Sequence, residues 1–391
     1  GDFTKTNAST LVVLDTTRHA SESVASVADC QDPSKTPTTK KDACLAAADM
    51  GHIFAKPVVD ETNVQRSTQI VRLNNNRWAV VMGNGYNSKS ERPVLMIQYL
   101  DGDKKLVRLV ATGSTGTGAQ ANTTENGLSA PRLVDINSDG RPDVVYAGDL
   151  KGNLWKFLIT DDDDTKWGVA QWGSNADQTT NDQTNGTPLY SAKGGTEGSP
   201  NVRSLIQPIT AAPSVRANDR TKEISLGGGN KKTVPVGGMM IAFGTGRNVT
   251  KNDPQDNNKQ TLYSVLDNTS YKKDGPKKDR LKVCASTTDG DCSKLVKSPS
   301  DYPKPATFSS LVQRITPDTA AHTRSGQSLW VIDATTKMDW ASNNGWYMDL
   351  PKTRERLLKP MNFYDGSNVL TVFSQVPAKG SHLDPNVESC D

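Results

Sequence analysis

A proline-led cassette that recurs along the chain of 391 residues constrains the fold more than any other feature. In each copy, small or basic residues precede the proline, and β-branched or other apolar positions follow it. The copies occupy residues 54–59, 129–134, 211–215 and 358–363. Each is followed by an apolar run typical of a strand, at residues 79–83, 144–148, 240–244 and 369–373, and the first three runs end in glycine. Repeated strand units of this kind predict small sheets in a radial arrangement.

The repeat predicts an all-β fold, a modified β-propeller with long loop insertions. A second apolar run follows three of the first ones, at residues 94–97, 153–157 and 261–266, and residues 328–333 have the same character. At roughly 40–50 residues per four-stranded blade, about seven blades fit this length. Proline at the start of a strand and glycine at its end are typical of inner strands near a crowded axis. A β-sandwich or a pair of barrels without symmetry is the alternative.

We interpret residues 1–391 as a single propeller domain. Residues 1–50 form a poorly assigned N-terminal segment within it, with one short helix predicted at residues 41–50. The polar stretch 160–199 is interpreted as a mobile excursion on one face. Its four successive aspartates, 161–164, are a weaker candidate for a second cation site, because adjacent carboxylates in a loop usually repel each other and stay solvated.

The charge composition disfavours several classes of partner. Lysine and arginine number 46 against 43 aspartates and glutamates, which leaves a net charge of +3. The basic clusters at residues 272–282 and 352–359 are interrupted by acidic residues and lack interleaved aromatic residues. We therefore expect solvated loops there, and no nucleic-acid or lipid partner. No stretch of the sequence approaches the roughly 18 apolar residues of a membrane span.

Four of the five cysteines form two local pairs, Cys30 with Cys44 and Cys284 with Cys292, inside polar, turn-rich segments. Neither pair has the CxxC spacing of a zinc site, and the four histidines are scattered. We therefore predict two disulfides and an oxidising compartment. Cys390 is left over. Because the chain begins with glycine and no signal peptide, we expect an excised fragment in which Cys390 has lost a partner further along.

Residues 135–143 alternate oxygen-bearing side chains with spacers, as a loop does when it wraps a hard divalent cation. Gly140 occupies the sixth position, where it can turn the chain sharply with φ > 0. Position 12 is Tyr146 and not the bidentate glutamate of an EF-hand, so we expect the loop to join two strands. The alternative is an Asp/Asn/Gly-rich turn without a metal. The predicted Ca²⁺ ligands are the side chains of Asp135, Asn137, Asp139 and Asp143 and the backbone carbonyl of Arg141.

The longer phrase LVDINSDGRPDVVYAGDLKGNLWKF at residues 133–157 resembles the signature of the PilC/PilY family of type IV pilus-associated proteins. The resemblance continues through residues 83–87, 243–247 and 344–351, and it runs from about residue 50 to the end. It implies the C-terminal domain of that family, a modified β-propeller that holds one Ca²⁺ on a surface loop through the same five positions. It also implies a role in pilus biogenesis, in which calcium occupancy opposes pilus retraction and the full-length protein acts as a pilus-tip adhesin.

The resemblance further implies pilus machinery or pilin subunits as partners and an extracellular location associated with the pilus or outer membrane. We also expect a monomer. Contact with host cells is expected only through the full-length protein. The loop also resembles those of integrin-like propeller repeats, which would make the chain a direct host-cell adhesion module. Those repeats carry several such loops in a row, and this sequence carries one.

An enzyme is the third class, since quinone-cofactor dehydrogenases are also propellers. The sequence lacks the adjacent cysteines that flank that cofactor. It also lacks nucleophile-elbow, HExxH and phosphate-loop patterns. No catalytic residues and no enzymatic activity are predicted.

Overall fold

The computed structural model describes residues 25–54, 57–60, 66–111, 125–180, 186–196, 199–274, 280–315, 322–324, 327–329, 332, 336–364, 367 and 369–377. Two short helices lie near the start of this part of the chain, α1 (Val27–Gln31) and α2 (Lys41–Asp49). The strands follow in the order β1 (Ile70–Arg72), β2 (Trp78–Gly83), β3 (Val94–Tyr99), β4 (Leu106–Val110), β5 (Arg132–Val134), β6 (Val144–Gly148), β7 (Asn153–Leu158), β8 (Gly168–Ala170), β9 (Thr179–Thr180), β10 (Tyr190–Ser191), β11 (Lys193–Thr196), β12 (Ser199–Ile206), β13 (Ser214–Ala217), β14 (Thr221–Gly227), β15 (Asn230–Pro235), β16 (Met239–Gly244), β17 (Thr261–Asp267), β18 (Tyr271–Asp274), β19 (Arg280–Val283), β20 (Val312–Gln313), β21 (His322–Arg324), β22 (Gln327–Leu329), β23 (Gly345–Asp349), β24 (Asn362–Phe363) and β25 (Leu370–Thr371). The chain is therefore mainly β, as predicted, and the predicted helix is α2.

The first sheet is antiparallel, in the order β1-β2-β3-β4. Its strand β3 is buried along its whole length because both of its faces are covered. Leu95 and Ile97 point to one side, where they pack with residues of the second sheet. Val94 and Met96 point to the other side, where Met50 packs against them just after α2. An apolar run without alternation is the expected pattern for a strand that is covered twice.

A disulfide joins the two N-terminal helices, and a buried ion cluster fastens them to this sheet. The Cys30–Cys44 disulfide joins α1 to α2, as predicted. The carboxylate of Asp49, at the end of α2, accepts hydrogen bonds from Arg92 Nε at 2.8 Å and from Arg108 Nη1 at 2.6 Å. A buried carboxylate requires such partners. Because Arg108 belongs to β4, the cluster holds the helix against the sheet.

The second sheet corrects the interpretation of residues 160–199 as a mobile excursion. Its order is β5-β6-β7-β8-β9, and β10 also pairs with β7. The strands β8, β9 and β10 all come from the polar stretch. Trp167, Val169, Leu189 and Tyr190 are buried there, so isolated apolar residues anchor a segment that is polar on average. The average polarity of the stretch gave no sign of these single buried residues. The interpretation as a mobile excursion was therefore wrong for the described residues of that stretch.

The third sheet has the order β13-β16-β17-β23-β20, and its last strand is parallel to β23. Two-stranded hairpins accompany the sheets, namely β11–β12, β14–β15, β18–β19, β21–β22 and β24–β25. The expectation of solvated loops in the basic clusters was wrong in two places. Strands β18 and β19 pair within residues 272–282, where Leu281 is buried. Arg356, in the other cluster, is buried and donates hydrogen bonds to the backbone carbonyls of Arg247, Asp253 and Asp256.

The core lies between successive sheets, so the second sheet is covered on both faces. Alternate residues of a strand point to opposite faces. Val145 and Phe157 therefore pack toward the first sheet, and Tyr146 and Leu158 pack toward the third. The three sheets thus lie face to face in chain order, as successive blades would.

Three of the four cassettes meet at one place. Val58, Ala130 and Ala212, each adjacent to a cassette proline, form one buried cluster. Two of the cassettes lead directly into β5 and β13, the first strands of their sheets. The repeat therefore marks where successive sheets converge, while the number of about seven blades stays a prediction. In the described residues, no helix is both long and apolar enough to cross a bilayer.

Candidate metal centre

The predicted calcium loop connects β5 to β6 at the corner of the second sheet. Val134 and Val144 are paired across the two strands, so residues 135–143 close an antiparallel hairpin. The backbone N–H of Asp143 also donates to the carbonyl of Val134 at 2.9 Å. The strand–loop–strand setting predicted from the missing EF-hand glutamate is confirmed.

The oxygen-bearing side chains of the loop are held by its own backbone. Asp135 accepts hydrogen bonds from the N–H groups of Asp139 at 3.2 Å and Gly140 at 2.7 Å. Asn137 accepts from the N–H of Asp139 at 3.0 Å, and Asp139 accepts from the N–H of Arg141 at 2.9 Å. These bonds draw the first, third and fifth positions of the loop together. A carboxylate oxygen that accepts one such bond keeps further acceptor capacity for a cation.

Backbone conformation explains why glycine stands sixth in the loop. Gly140 has φ of +85°, and a Cβ built there would meet nothing within 4 Å. The requirement is therefore conformational and does not come from packing, because φ > 0 favours glycine. Ser138 also has a positive φ, of 61°, which is uncommon for a residue with a side chain. Two left-handed residues within three positions make the tight curl of the loop.

Asp143 lies at the buried end of the loop. Burial, together with the negative charges of Asp135 and Asp139, raises the pKa of its carboxyl to about 6. The N–H of Ile136, which donates to Asp143 Oδ2 at 2.9 Å, opposes this shift. The charges of two loop carboxylates therefore act on a third, buried carboxyl group that resists ionisation. That is the electrostatic condition that a bound cation relieves.

Asn74 fastens this loop to the first sheet, and sequence patterns did not identify it. It lies in the turn between β1 and β2, and its buried amide donates to the carbonyls of Pro142 and Ile159, each at 2.9 Å. The same nitrogen lies 3.5 Å from Asp143 Oδ1. An asparagine in a turn is too common to be singled out from sequence, because the same residue often only stabilises its own turn.

The donor set fits a hard cation. Carboxylate, amide and carbonyl oxygens are the ligands that Ca²⁺ takes, six to eight at a time. In the described residues, no three acidic, histidine or cysteine side chains converge closely enough to hold a metal by themselves. The loop offers three carboxylates with an amide and a backbone carbonyl, and this mixed set is the one that calcium loops use. Asp135, Asn137, Asp139, Arg141 and Asp143 would hold the ion, and water would complete its shell.

Comparison with known proteins places these features in a family. The family model described as the PilY1 beta-propeller domain matches residues 56–292, which include the loop. The chain belongs to the PilY1 family. The type IV pilus biogenesis factor PilY1 of Pseudomonas aeruginosa PAO1 is 30% identical over 312 residues, covering 77% of this chain and 21% of the relative. A PilY1 homolog of Xylella fastidiosa is 33% identical over 224 residues, covering 57% of this chain and 12% of the homolog.

The solved C-terminal domain of P. aeruginosa PilY1 is similar in structure, with a TM-score of 0.54 and 26% sequence identity. The match covers 84% of this chain and 56% of that domain. The predicted membership of the family and the β-propeller class are confirmed. The chain spans about a fifth or less of the length of the curated relatives it matches.

The second half of the PilY1 signature phrase builds the turn that follows the loop. The carboxylate of Asp149 is fully buried, and burial raises its pKa. It accepts hydrogen bonds from Trp155 Nε1 at 2.8 Å, Asn153 Nδ2 at 3.0 Å and Asn126 Nδ2 at 3.1 Å. Asp149 therefore organises the connection from β6 to β7. This explains why the recognisable phrase extends well beyond the ligand positions.

The four successive aspartates at 161–164 do not converge on a common point. Asp161 pairs with Lys166 at 3.3 Å, and Asp162 pairs with Arg280 at 2.7 Å. Asp164 accepts a hydrogen bond from the Tyr99 hydroxyl at 2.8 Å. Each of these three carboxylates thus has its own partner, and among the described residues no three acidic side chains are grouped closely enough to hold a metal.

Proposed function

We propose that this chain is a non-catalytic, calcium-binding propeller of a type IV pilus biogenesis factor, and that calcium occupancy of its 135–143 loop opposes pilus retraction. The observation that supports the proposal most is the set of loop oxygens, held by backbone N–H groups within a PilY1-family domain. The curated relatives are named type IV pilus biogenesis factors, and we extend that role to this chain.

The residues of the loop suggest how occupancy would change the surface. Without a cation, the charges of Asp135 and Asp139 act against ionisation of the buried Asp143. When bound, Ca²⁺ supplies two positive charges that offset this repulsion. Asn74 bonds both the last turn of the loop and the carbonyl that follows β7. We propose that ordering of the loop is passed through Asn74 to the first sheet, which would present or withdraw a partner surface.

The proposed partners are the pilus machinery or pilin subunits, and the proposed location is the cell surface, in association with the pilus or outer membrane. Both disulfides are formed, which fits a compartment outside the reducing cytosol. We propose that the chain acts as a monomer. Contact with a host cell is proposed only for the full-length protein, as an adhesin.

Titration calorimetry tests the calcium site directly. Wild-type protein is expected to bind one Ca²⁺, and Asp139→Ala is expected to lower the affinity by about 100-fold or more, since one loop carboxylate is lost. The matched control is Asp274→Ala, which removes an exposed carboxylate from the end of β18. Undiminished binding by Asp139→Ala would show that the loop is not the site.

The link to retraction is tested separately in cells. Asp139→Ala, introduced into the complete gene of a piliated bacterium, is expected to reduce surface pili and twitching motility. Deleting the retraction motor in the same strain is expected to restore the pili. Normal piliation by a variant that has lost calcium binding would leave the metal site standing and refute its role in retraction.

A further inference from the structure

The third sheet carries a cavity of about 470 Å³ on the face turned away from the second sheet. Its floor is the row Ala242, Ser264 and Trp346, which are paired across β16, β17 and β23. Phe363 of β24 and Trp340, which precedes β23, form other parts of the wall. Cavities of roughly 300–1,000 Å³ are typical of ligand sites. None of the loop residues 135–143 lines this cavity, so its role does not depend on the proposed calcium function.

Arginine and aromatic side chains dominate the chemistry of this cavity. Arg216 lies over the ring of Phe363, with 4.3 Å between its guanidinium carbon and the ring centroid. Arg314 donates a hydrogen bond to the carbonyl of Thr336, which holds its guanidinium at the wall. Arg220 lies 3.4 Å from Asp219, and the two side chains are 59% and 60% exposed. Three arginines thus face one acidic lining residue, so the cavity is positive overall.

The hairpin β14–β15 rises from the rim of the same cavity. The last residue of β13 and residues 218–220, which link β13 to β14, are themselves lining residues. Among the described strands, β14 and β15 pair only with each other, so both outer edges of the hairpin are open. Leu226 near its tip is 62% exposed. Lys231 pairs with Glu223 at 2.9 Å, and Lys222 and Lys232 add further positive charge.

Such a hairpin is marginally stable in water by itself. Its open edges display unpaired backbone N–H and C=O groups, which is the surface that an added strand uses. Carboxylates match the guanidinium groups at its base, because arginine forms paired hydrogen bonds with them. Aromatic side chains prefer offset or edge-to-face packing against other rings, and tryptophan offers the largest such surface.

We propose that the cavity and the hairpin β14–β15 together form a docking surface for an extended, acidic peptide segment of a partner protein. Carboxylates of the segment pair with Arg220 and Arg314, and an adjacent aromatic side chain enters between Trp340 and Trp346. The backbone of the segment extends along an open edge of the hairpin. An anionic sugar would satisfy the arginines and the aromatic rings, but it could not use the strand edge, and for this reason a peptide is favoured.

Selection from phage-displayed random dodecapeptides tests the proposal and does not require the partner to be identified. Peptides are selected on the wild-type chain alone, and their binding to the double variant Arg314→Gln/Trp340→Ala is then measured. The selected peptides are expected to place aspartate or glutamate beside an aromatic residue. Their dissociation constants are expected to rise about tenfold or more on the double variant, because a charge pair and an aromatic contact are lost.

The matched control is Arg66→Gln/Trp78→Ala, which removes the same residue types from well-exposed positions near the first sheet. Trp78 belongs to the first sheet and Arg66 precedes it, whereas the cavity lies on the third sheet. The control variant should therefore bind the peptides as the wild type does. Circular dichroism and an unchanged thermal midpoint confirm that each variant is folded.

Three results would overturn the proposal. Selected peptides could bind the double variant as tightly as the wild type, or they could be neutral or basic. Alternatively, a heparin-derived oligosaccharide could bind the wild type and not the double variant while no peptide is enriched, which would assign the surface to an anionic sugar.

Discussion

At the scale of single residues, Asp143 differs from the other acidic residues of the loop because it is buried. Burial raises its pKa to about 6, so the folded state holds the proton more tightly than the unfolded chain. The ionised carboxylate therefore lowers the free energy of unfolding at neutral pH, by at most about 3 kcal/mol. As pH rises from about 4 through about 6, the calcium-free protein is expected to lose this amount of stability.

Asp143→Asn removes the buried charge and keeps an oxygen that accepts the N–H of Ile136. In EDTA at neutral pH, urea unfolding is expected to show a higher free energy of unfolding for this variant than for the wild type. The same variant is expected to bind Ca²⁺ much more weakly. Asp139→Asn, at an exposed position, should change the calcium-free stability by less than about 0.5 kcal/mol. A calcium-free Asp143→Asn that is less stable than the wild type contradicts this account.

The second prediction for a single residue concerns the hydrogen bonds that Asn74 donates. Asn74→Ala leaves the carbonyls of Pro142 and Ile159 without their donor, which is expected to lower the free energy of unfolding by about 1–3 kcal/mol. Calcium affinity should also fall, because the end of the loop loses its attachment to the first sheet. Denaturant unfolding and calorimetry measure the two effects, and Asn230→Ala in the exposed hairpin serves as control. If stability falls while affinity is unchanged, Asn74 has no part in the site.

At the scale of elements, one buried ion pair joins the second and third sheets. Lys156 of β7 lies 2.7 Å from Asp267 of β17, and the hydroxyls of Tyr146 and Thr269 also contact this pair. Burial lowers the pKa of Lys156. Burial alone would raise the pKa of Asp267, but the charge and hydrogen bond of Lys156 hold it below its usual range. Asp267 is therefore ionised at neutral pH, and its buried negative charge is stabilised by Lys156.

Lys156→Met is expected to lower the free energy of unfolding by about 3–5 kcal/mol, because it leaves a buried carboxylate without its counter-charge. The double variant Lys156→Met/Asp267→Leu should be more stable than this single variant, since neither charge then remains buried. Denaturant unfolding of the four members of the cycle measures the difference. Equal losses in the single and double variants would mean that the ion pair is not the main contact here.

At the scale of the whole molecule, calcium is expected to stabilise the folded chain by linkage. A ligand that binds only the folded state at 100 times its dissociation constant contributes about 2.7 kcal/mol. The thermal midpoint should therefore be higher in calcium than in EDTA. Magnesium should raise it less, because Mg²⁺ demands near-ideal octahedral geometry and gives up its waters reluctantly. Asp139→Ala should abolish the calcium shift, and an equal shift in that variant would place the ion elsewhere.

The sequence patterns were most reliable where one local rule applied. The disulfides Cys30–Cys44 and Cys284–Cys292, helix α2 and the strands around the loop all follow from spacing or apolar character within a few residues. The polar stretch 160–199 could not be predicted in this way, because its buried anchors are single residues whose partners lie far along the chain. Cys390 lies outside the described residues, so its expected loss of a partner stays a prediction. The interpretation of residues 1–391 as a single domain also stays a prediction.

The sequence by itself determined the all-β class, the repeat and the order of oxygen donors in the loop, because each is encoded by residue type and short spacing. Only the tertiary structure decided that Asn74 fastens the loop, that Lys156 faces Asp267, and that Arg216, Arg314 and Trp346 share one cavity. These residues are far apart in sequence. Which of them meet depends on how the sheets stack and which face of each strand is covered, and no local pattern records that.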